Sequence, residues 1–182
     1  MKLTRNTARA LFFNLGQVAL REMDSEVLEV VMSNFEALRK VNEEWETMTK
    51  ELAKRLYGEF DKMTDDEKKR YSSFMEHIGS YERAVQGSDV DKAKELRMLA
   101  EASYPDLFKL YEKQISVLEK LNRAEIEVDI KPVDKARFAL GIIKSNERWS
   151  ALGVDMVFGA MYEKPIKDKA NDFAELEELL KD

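Results

Sequence analysis

Cysteine is absent from this chain of 182 residues, and histidine occurs once, as His77. Without cysteine there can be no disulfide bond, no thiolate ligand for a metal and no cysteine nucleophile. Histidine is a frequent general base and metal ligand in enzymes, and no serine or aspartate is placed by sequence to form a triad with His77. We interpret His77 as an ordinary, partly exposed side chain and predict that the protein is not an enzyme.

Residues that interrupt helices are scarce, since the chain has only 7 glycines and 3 prolines. Charged residues make up 36% of the chain and hydrophobic residues 44%, which is enough apolar material for a core. We predict a mainly α fold, a single-domain helical bundle over residues 1–164 with one long amphipathic helix and at most one short β segment. An acidic C-terminal helix over residues 165–182 is predicted to pack on this bundle or on a partner.

Motifs for phosphate and metal binding are also missing. There is no glycine-rich loop of the P-loop or dinucleotide-binding type. The pairs Glu43–Glu44, Asp65–Asp66 and Asp89/Asp91 could bind Mg²⁺ or act as acid and base. A solvated helix face explains the first pair, a helix cap explains the second, and the third lacks the later glycine and glutamate of an EF-hand. We therefore predict no metal, no cofactor and no small-molecule substrate, and an enzyme with carboxylate chemistry is the least favoured hypothesis.

No hydrophobic run is long enough to span a membrane. The apolar N-terminal stretch Ala8 to Leu20 is interrupted by Arg9, Asn14 and Gln17, whereas a secretion signal needs an unbroken stretch. The net charge is −6, so a diffuse attraction to nucleic acid or to anionic membranes is not expected. We predict a cytoplasmic protein without a signal peptide, and a protein partner or self-association rather than a membrane or nucleic acid.

The strongest positive signal is a stripe of residues at steps of three and four. Its apolar members are Leu28, Val31, Phe35, Leu38, Trp45, Leu52, Leu56 and Phe60. Asn42 and Thr49 fill the two stripe positions that are not apolar, and most other positions are charged. This spacing keeps side chains on one face of an α-helix, which must then be buried. The stripe predicts a long helix from Asp24 or Ser25 to about Tyr57–Gly58, with Trp45 in the core.

Capping residues mark the starts of further helices, and these are Thr4 or Asn6, Thr64 with Glu67, Ser88 with Asp91, Asp134, Ser145 or Asn146, and Asp155. The first helix is expected to reach about Arg21. The helix after Thr64 is expected to reach Ile78. Gly79 then ends this helix, bends it, or lies within a helix that continues. Pro105 either begins a separate helix or kinks a continuous one.

The segment from Glu125 to Lys131 alternates strictly between polar and apolar residues. Such alternation is typical of a half-buried strand, here with Ile126, Val128 and Ile130 on the apolar side. A strand needs hydrogen-bond partners, and no convincing second strand is evident in the chain. We expect the segment either to pair across a subunit interface or to lie extended on the helices.

Charged residues near the C-terminus form two sets of opposite sign. Arg137, Lys144 and Arg148 fall on one helical face if the helix after Asp134 continues. Such a stripe could contact phosphates or an acidic partner, and the chain's own C-terminus is one such partner. The acidic residues there include Glu175, Glu177 and Glu178. We predict that these six residues bind a partner, and the alternative is a helical nucleic-acid-associated regulator that uses the basic stripe.

Three segments carry a resemblance, and they are Asn34 to Glu46, Lys50 to Gly58 and Ala124 to Lys131. A charged helix followed by this alternating segment resembles small uncharacterised helical proteins of tailed-phage and prophage genomes, over about residues 8–162. Residues 64–105 are more helical than in those proteins, and the tail after Pro165 is additional. The resemblance implies no catalytic residues. It implies an accessory, structural or host-modulating role through protein–protein contact, in the host cytoplasm or the virion.

Overall fold

The computed structural model describes residues 1–146 and 148–162, and most of these residues are helical. The helices are α1 (Arg5–Gln17), α2 (Ser25–Tyr57), α3 (Asp65–Gln86), α4 (Val90–Ser103), α5 (Pro105–Arg123), α6 (Lys135–Ser145) and α7 (Ala151–Phe158). Short 3₁₀ turns occupy Phe60–Lys62 and Gly159–Met161. Strands β1 (Lys2–Thr4) and β2 (Glu125–Glu127) form a small antiparallel sheet. The prediction of a mainly α fold with little β structure is confirmed.

The chain divides into two compact units. Unit 1 is Met1–Asn42 together with the chain from Glu125 onward, and unit 2 is Glu43–Ala124. The bundle predicted over residues 1–164 thus contains two such units. The C-terminal helix predicted over residues 165–182 lies outside the described residues.

Helix α2 has the limits that its sequence predicts. The Asp24 carboxylate caps it by accepting hydrogen bonds from the N–H groups of Glu26 and Val27, at 3.0 and 3.4 Å. Gly58 follows the last helical residue with a φ of +86°, a conformation that favours glycine. Trp45 is only 7% exposed, so its predicted burial is confirmed. Phe60 is 46% exposed and begins a 3₁₀ turn, so its assignment to the buried stripe is wrong.

The core of unit 1 collects apolar side chains from α1, the first part of α2, α6 and α7. Its most completely buried members are Ala8, Leu11, Val31, Leu38, Phe138, Ile142, Val154, Phe158 and Met161. The rings of Phe138 and Phe158 meet edge to face with centroids 5.4 Å apart, which joins α6 to α7.

The alternating segment at Glu125 pairs with the N-terminus of the same chain. Ile126 lies opposite Leu3, and the Val128 N–H donates to the Met1 carbonyl oxygen at 2.8 Å. The expectation that the chain holds no second strand is therefore wrong, because β1 is too short to show a hydrophobic period. Val128 and Ile130 are buried in the core of unit 1, as the alternation predicts.

Unit 2 packs α3, α4 and α5 around Phe74, Ile78, Ala100 and Phe108. The predicted capping box is present: the Thr64 hydroxyl accepts from the Glu67 N–H while the Glu67 carboxylate accepts from the Thr64 N–H. Helix α3 passes Gly79 and ends at Gln86.

The connection around Pro105 separates two helices. Helix α4 ends at Ser103, and Pro105 occupies the first turn of α5. The predicted cap at Ser88 is wrong by one residue, because the Asp89 carboxylate accepts from the Lys92 N–H while Ser88 has a φ of 57°.

The chain after α6 differs from the prediction. Asp134 caps α6 as expected, but Asn146 ends this helix instead of starting another turn. Its side chain is held by Ala19, whose N–H donates to Asn146 Oδ1 and whose carbonyl accepts from Asn146 Nδ2, both at 2.9 Å. Helix α7 is capped by Ser150 instead of Asp155. Asp155 forms an ion pair with Lys135.

Candidate protein-binding surface

Helices α6 and α7 bury one side each in unit 1 and turn the other outward. On α6, Phe138, Ala139 and Ile142 face the core, which leaves positions 137, 140 and 144 on the opposite side. On α7, Val154 and Phe158 are buried, while Leu152 and Met156 point outward one turn apart.

The outward side chains of the two helices include three large apolar groups. Leu140 is 53% exposed, Leu152 is 70% exposed and Met156 is 79% exposed. Lys144 and Arg148 are exposed as well. We call Leu140, Lys144, Arg148, Leu152 and Met156 the α6–α7 surface. Single exposed apolar residues are ordinary, so the feature of note is the pair Leu152 and Met156, one turn apart on the same helix.

Arg137, the first residue of the predicted basic stripe, is engaged inside unit 1. Its guanidinium forms ion pairs with Asp24, at 2.5 Å, and with Glu26, at 2.9 Å. The hydrogen bond to Asp24, followed by the one to Glu26, raises the pKa of Arg137 above its usual value. The same contact lowers the pKa of the Asp24 carboxyl. Both carboxylates offset the charge of Arg137. Its side chain therefore links α6 to the start of α2.

Lys144 and Arg148 remain exposed, although not on one continuous helix. Helix α6 ends at Ser145, so the face predicted to run from Arg137 through Arg148 is interrupted. The helix ends here because the side chains of Ser145 and Asn146 accept hydrogen bonds from main-chain N–H groups of the loop after α1. Among residues 1–146 and 148–162, neither Lys144 nor Arg148 has an ion pair. The predicted acidic partners Glu175, Glu177 and Glu178 lie outside the described residues.

The apolar members of the surface were not among the predicted site residues. A signal for them is nevertheless present in Ala151–Phe158, where Asp155 is the only charged residue. A short helix that is apolar on nearly every side cannot bury all of it against one core. Which residues point outward depends on how α7 packs, and the sequence does not specify that.

His77 has a structural environment. Its Nδ1 lies 2.8 Å from the Ser73 carbonyl oxygen, and its ring meets the Tyr104 ring at 5.5 Å between centroids. These contacts place it within unit 2. In the described parts of the chain, no group of three or more histidine, aspartate or glutamate side chains is arranged to hold a metal ion.

Two further observations bear on the class of protein. Within residues 1–146 and 148–162, no helix combines the length and the apolar character that a membrane crossing requires. Comparisons with protein-family models, with curated proteins and with solved structures found no match to this chain.

Proposed function

We propose that this protein is a non-enzymatic, helical protein-binding protein whose docking face is the α6–α7 surface. The observation that carries the proposal is the exposure of Leu152 and Met156, one turn apart on α7. Their burial against a partner would remove apolar area from water, which is the main favourable term in protein association.

The chemistry of the surface indicates what the partner looks like. Lys144 follows Leu140 by one turn of α6, Arg148 precedes α7, and the described residues of unit 1 form no ion pair with either cation. An acidic amphipathic helix has the complementary pattern, with apolar residues on one side and carboxylates at its edge. We infer that such a helix is the occupant. The accessory or assembly role implied by the phage resemblance is part of this proposal and names the setting in which the partner would be found.

The alternative of a nucleic-acid-associated regulator has less support. It depends on Arg137, Lys144 and Arg148 acting together on phosphates. The charge of Arg137 is offset by Asp24 and Glu26, which leaves Lys144 and Arg148 as the unpaired members of the stripe among the described residues. Two cations give a weak electrostatic attraction in a chain of net charge −6.

A binding experiment with two probes distinguishes these functions. The first probe is a fluorescent peptide with the sequence of residues 170–182, which is acidic and carries Phe173, Leu176, Leu179 and Leu180. The second is a labelled duplex DNA of mixed sequence. The proposal predicts saturable binding of the peptide and none of a scrambled peptide. Salt-dependent binding of the DNA without peptide binding would favour the regulator instead.

A further inference from the structure

Unit 2 contains two adjoining clefts that lie apart from the surface described above. The first, of about 330 Å³, lies between α3, α4 and α5, and the second, of about 320 Å³, lies between α3 and α4. Tyr81 from α3 and Arg97 from α4 line both clefts and so form the wall between them. Each cleft is about the size of one or two side chains.

The first cleft combines aromatic rings with carboxylates. Tyr81, Phe108 and Tyr111 supply the rings, and Glu112 and Glu119 supply the carboxylates. Aromatic faces and carboxylates together are the groups that attract a guanidinium or an ammonium group.

The guanidinium of Arg97 is held by a carboxylate and an aromatic ring of the first cleft. Its Nη2 lies 2.9 Å from Glu112 Oε1, and its Cζ lies 5.7 Å from the centroid of the Phe108 ring. The neighbouring carboxylate is less engaged, because Glu119 faces Arg123 only at 4.0 Å and both side chains are largely exposed. An ion pair of that kind contributes little, so Glu119 is available to a second cation.

The charged side chains around the first cleft have a net negative charge even when Arg97 and Arg123 are both included. Glu82 lies beside the cleft and accepts a hydrogen bond from the Tyr111 hydroxyl at 3.1 Å. Three carboxylates therefore lie around the rings, against the guanidinium groups of Arg97 and Arg123.

The second cleft has a different character, because its walls are mainly apolar. Val85, Val90 and Ala93 line it together with Tyr81, and Val90 is 76% exposed. An apolar side chain placed there would cover Val85 and Val90 and remove their area from water.

We propose that these clefts together bind a basic, apolar segment of a partner protein, with a lysine or arginine side chain in the first cleft and an aliphatic side chain in the second. Two side chains two positions apart on an extended backbone point to the same side, so one short segment can fill both clefts across the Tyr81–Arg97 wall. We assign a protein segment as the ligand, because a free organic cation would leave the apolar cleft empty.

The test uses the full chain labelled with ¹⁵N and the peptide acetyl-Ala-Arg-Ala-Leu-Ala-amide. Saturable amide shifts are expected at Tyr81, Val85, Val90 and Tyr111, and a peptide with glutamate in place of arginine should cause none. Replacing leucine by serine should weaken binding and reduce the shifts at Val85 and Val90. Glu119→Gln should weaken binding by about tenfold, the order expected for the loss of a charge-assisted hydrogen bond.

A matched control is Glu101→Gln, which removes the same charge from an exposed position on α4 that lines neither cleft. Its affinity should equal that of the unaltered chain. The proposal is overturned if the arginine peptide causes no saturable shift, if the glutamate peptide binds equally well, or if both glutamine variants weaken binding alike. Free arginine amide should shift only the first cleft. An equal effect of arginine amide on both clefts would also overturn the proposal of a two-part segment.

Discussion

The side chain of Asn34, buried in helix α2, hydrogen-bonds both main-chain groups of Lys131. Its Nδ2 donates to the Lys131 carbonyl oxygen at 2.8 Å, and its Oδ1 accepts from the Lys131 N–H at 2.8 Å. The Asn34 side chain is fully buried, so both of its polar atoms need partners, and the main chain of Lys131 supplies them. Asn34 therefore fixes the segment after β2 against α2 within unit 1.

Replacement of this asparagine by leucine should lower the free energy of unfolding. Asn34→Leu keeps the number and branching of the heavy atoms but removes both hydrogen bonds to the main chain of Lys131, at about 0.5–1.5 kcal/mol for each bond. Urea denaturation followed by circular dichroism measures the free energy of unfolding. Ser33→Leu, at the exposed neighbouring position, is the control and should change that free energy by less than about 0.5 kcal/mol. Equal effects of the two variants would contradict the role assigned to Asn34.

Gly141 on α6 allows Met23, in the loop before α2, to approach the helix closely. A Cβ atom at this position would lie 2.7 Å from Met23 Sδ and 3.1 Å from Met23 Cα, and the latter is backbone that cannot simply rotate away. Gly141→Ala should therefore destabilise the protein by about 1–3 kcal/mol despite the higher helix propensity of alanine.

Gly153 on α7 provides the matched control, because the nearest atom to a Cβ there is Ser150 Oγ at 3.5 Å. Gly153→Ala should be neutral or slightly stabilising. Thermal unfolding of both variants tests the pair, and a Gly141→Ala protein as stable as the unaltered chain would show that Met23 does not pack as described.

The pairing of β2 with β1 predicts a particular pattern of hydrogen exchange. The Val128 amide donates to the Met1 carbonyl of the same chain, so its protection should be independent of protein concentration. Val128→Pro removes this donor and should destabilise the N-terminal pairing. Protection that appears only at high concentration would indicate that the segment pairs between subunits instead.

Ionisation of Asp106 offers a test of unit 2. Its carboxylate receives two hydrogen bonds from the Arg70 guanidinium, and this contact lowers the pKa of Asp106 to about 2. The stabilisation from a lowered carboxyl pKa is present above the usual pKa of about 3.9 and is lost as the pH falls toward the lowered value. Stability should therefore decline between about pH 4 and pH 2 through this pair.

The carboxyl titration of Asp106, followed by ¹³C NMR, measures this directly. In Arg70→Met the pKa of Asp106 should return toward about 3.9, whereas Lys109→Met, which removes an exposed charge on the same helix as Asp106, should leave it low. An unchanged Asp106 pKa in Arg70→Met would assign the shift to another cause.

Local signals in the sequence predicted much of the fold. The capping box at Thr64, the cap at Asp134 and the helix end at Gly58 each depend on neighbouring residues, and each was predicted correctly. Asn146 was misassigned because its role depends on hydrogen bonds to Ala19, which is far away in sequence. Strand β1 was missed for a related reason, since three residues carry no period and their pairing is long-range.

The candidate site was less accessible to sequence reasoning. Lys144 and Arg148 were predicted as partner-binding, and both are exposed. The ion pairs of Arg137 join residues more than a hundred positions apart in sequence. Residue spacing along a helix therefore does not reveal that Arg137 is paired. Leu152 and Met156 fit the apolar pattern of a helix, and only the packing of α7 decides that they face outward.

The central claim, docking of an acidic amphipathic helix on the α6–α7 surface, is tested most directly by two methionine-to-aspartate variants. Met156 on α7 and Met98 on α4 are both largely exposed, at 79% and 62%, so neither variant should unfold the protein. Fluorescence anisotropy with the labelled peptide of residues 170–182 gives the affinity of each. Met156→Asp should weaken binding by about tenfold or more, because it places a negative charge among apolar contacts and beside an acidic ligand, and Met98→Asp should bind like the unaltered chain. Equal affinity of the two variants would contradict the claim.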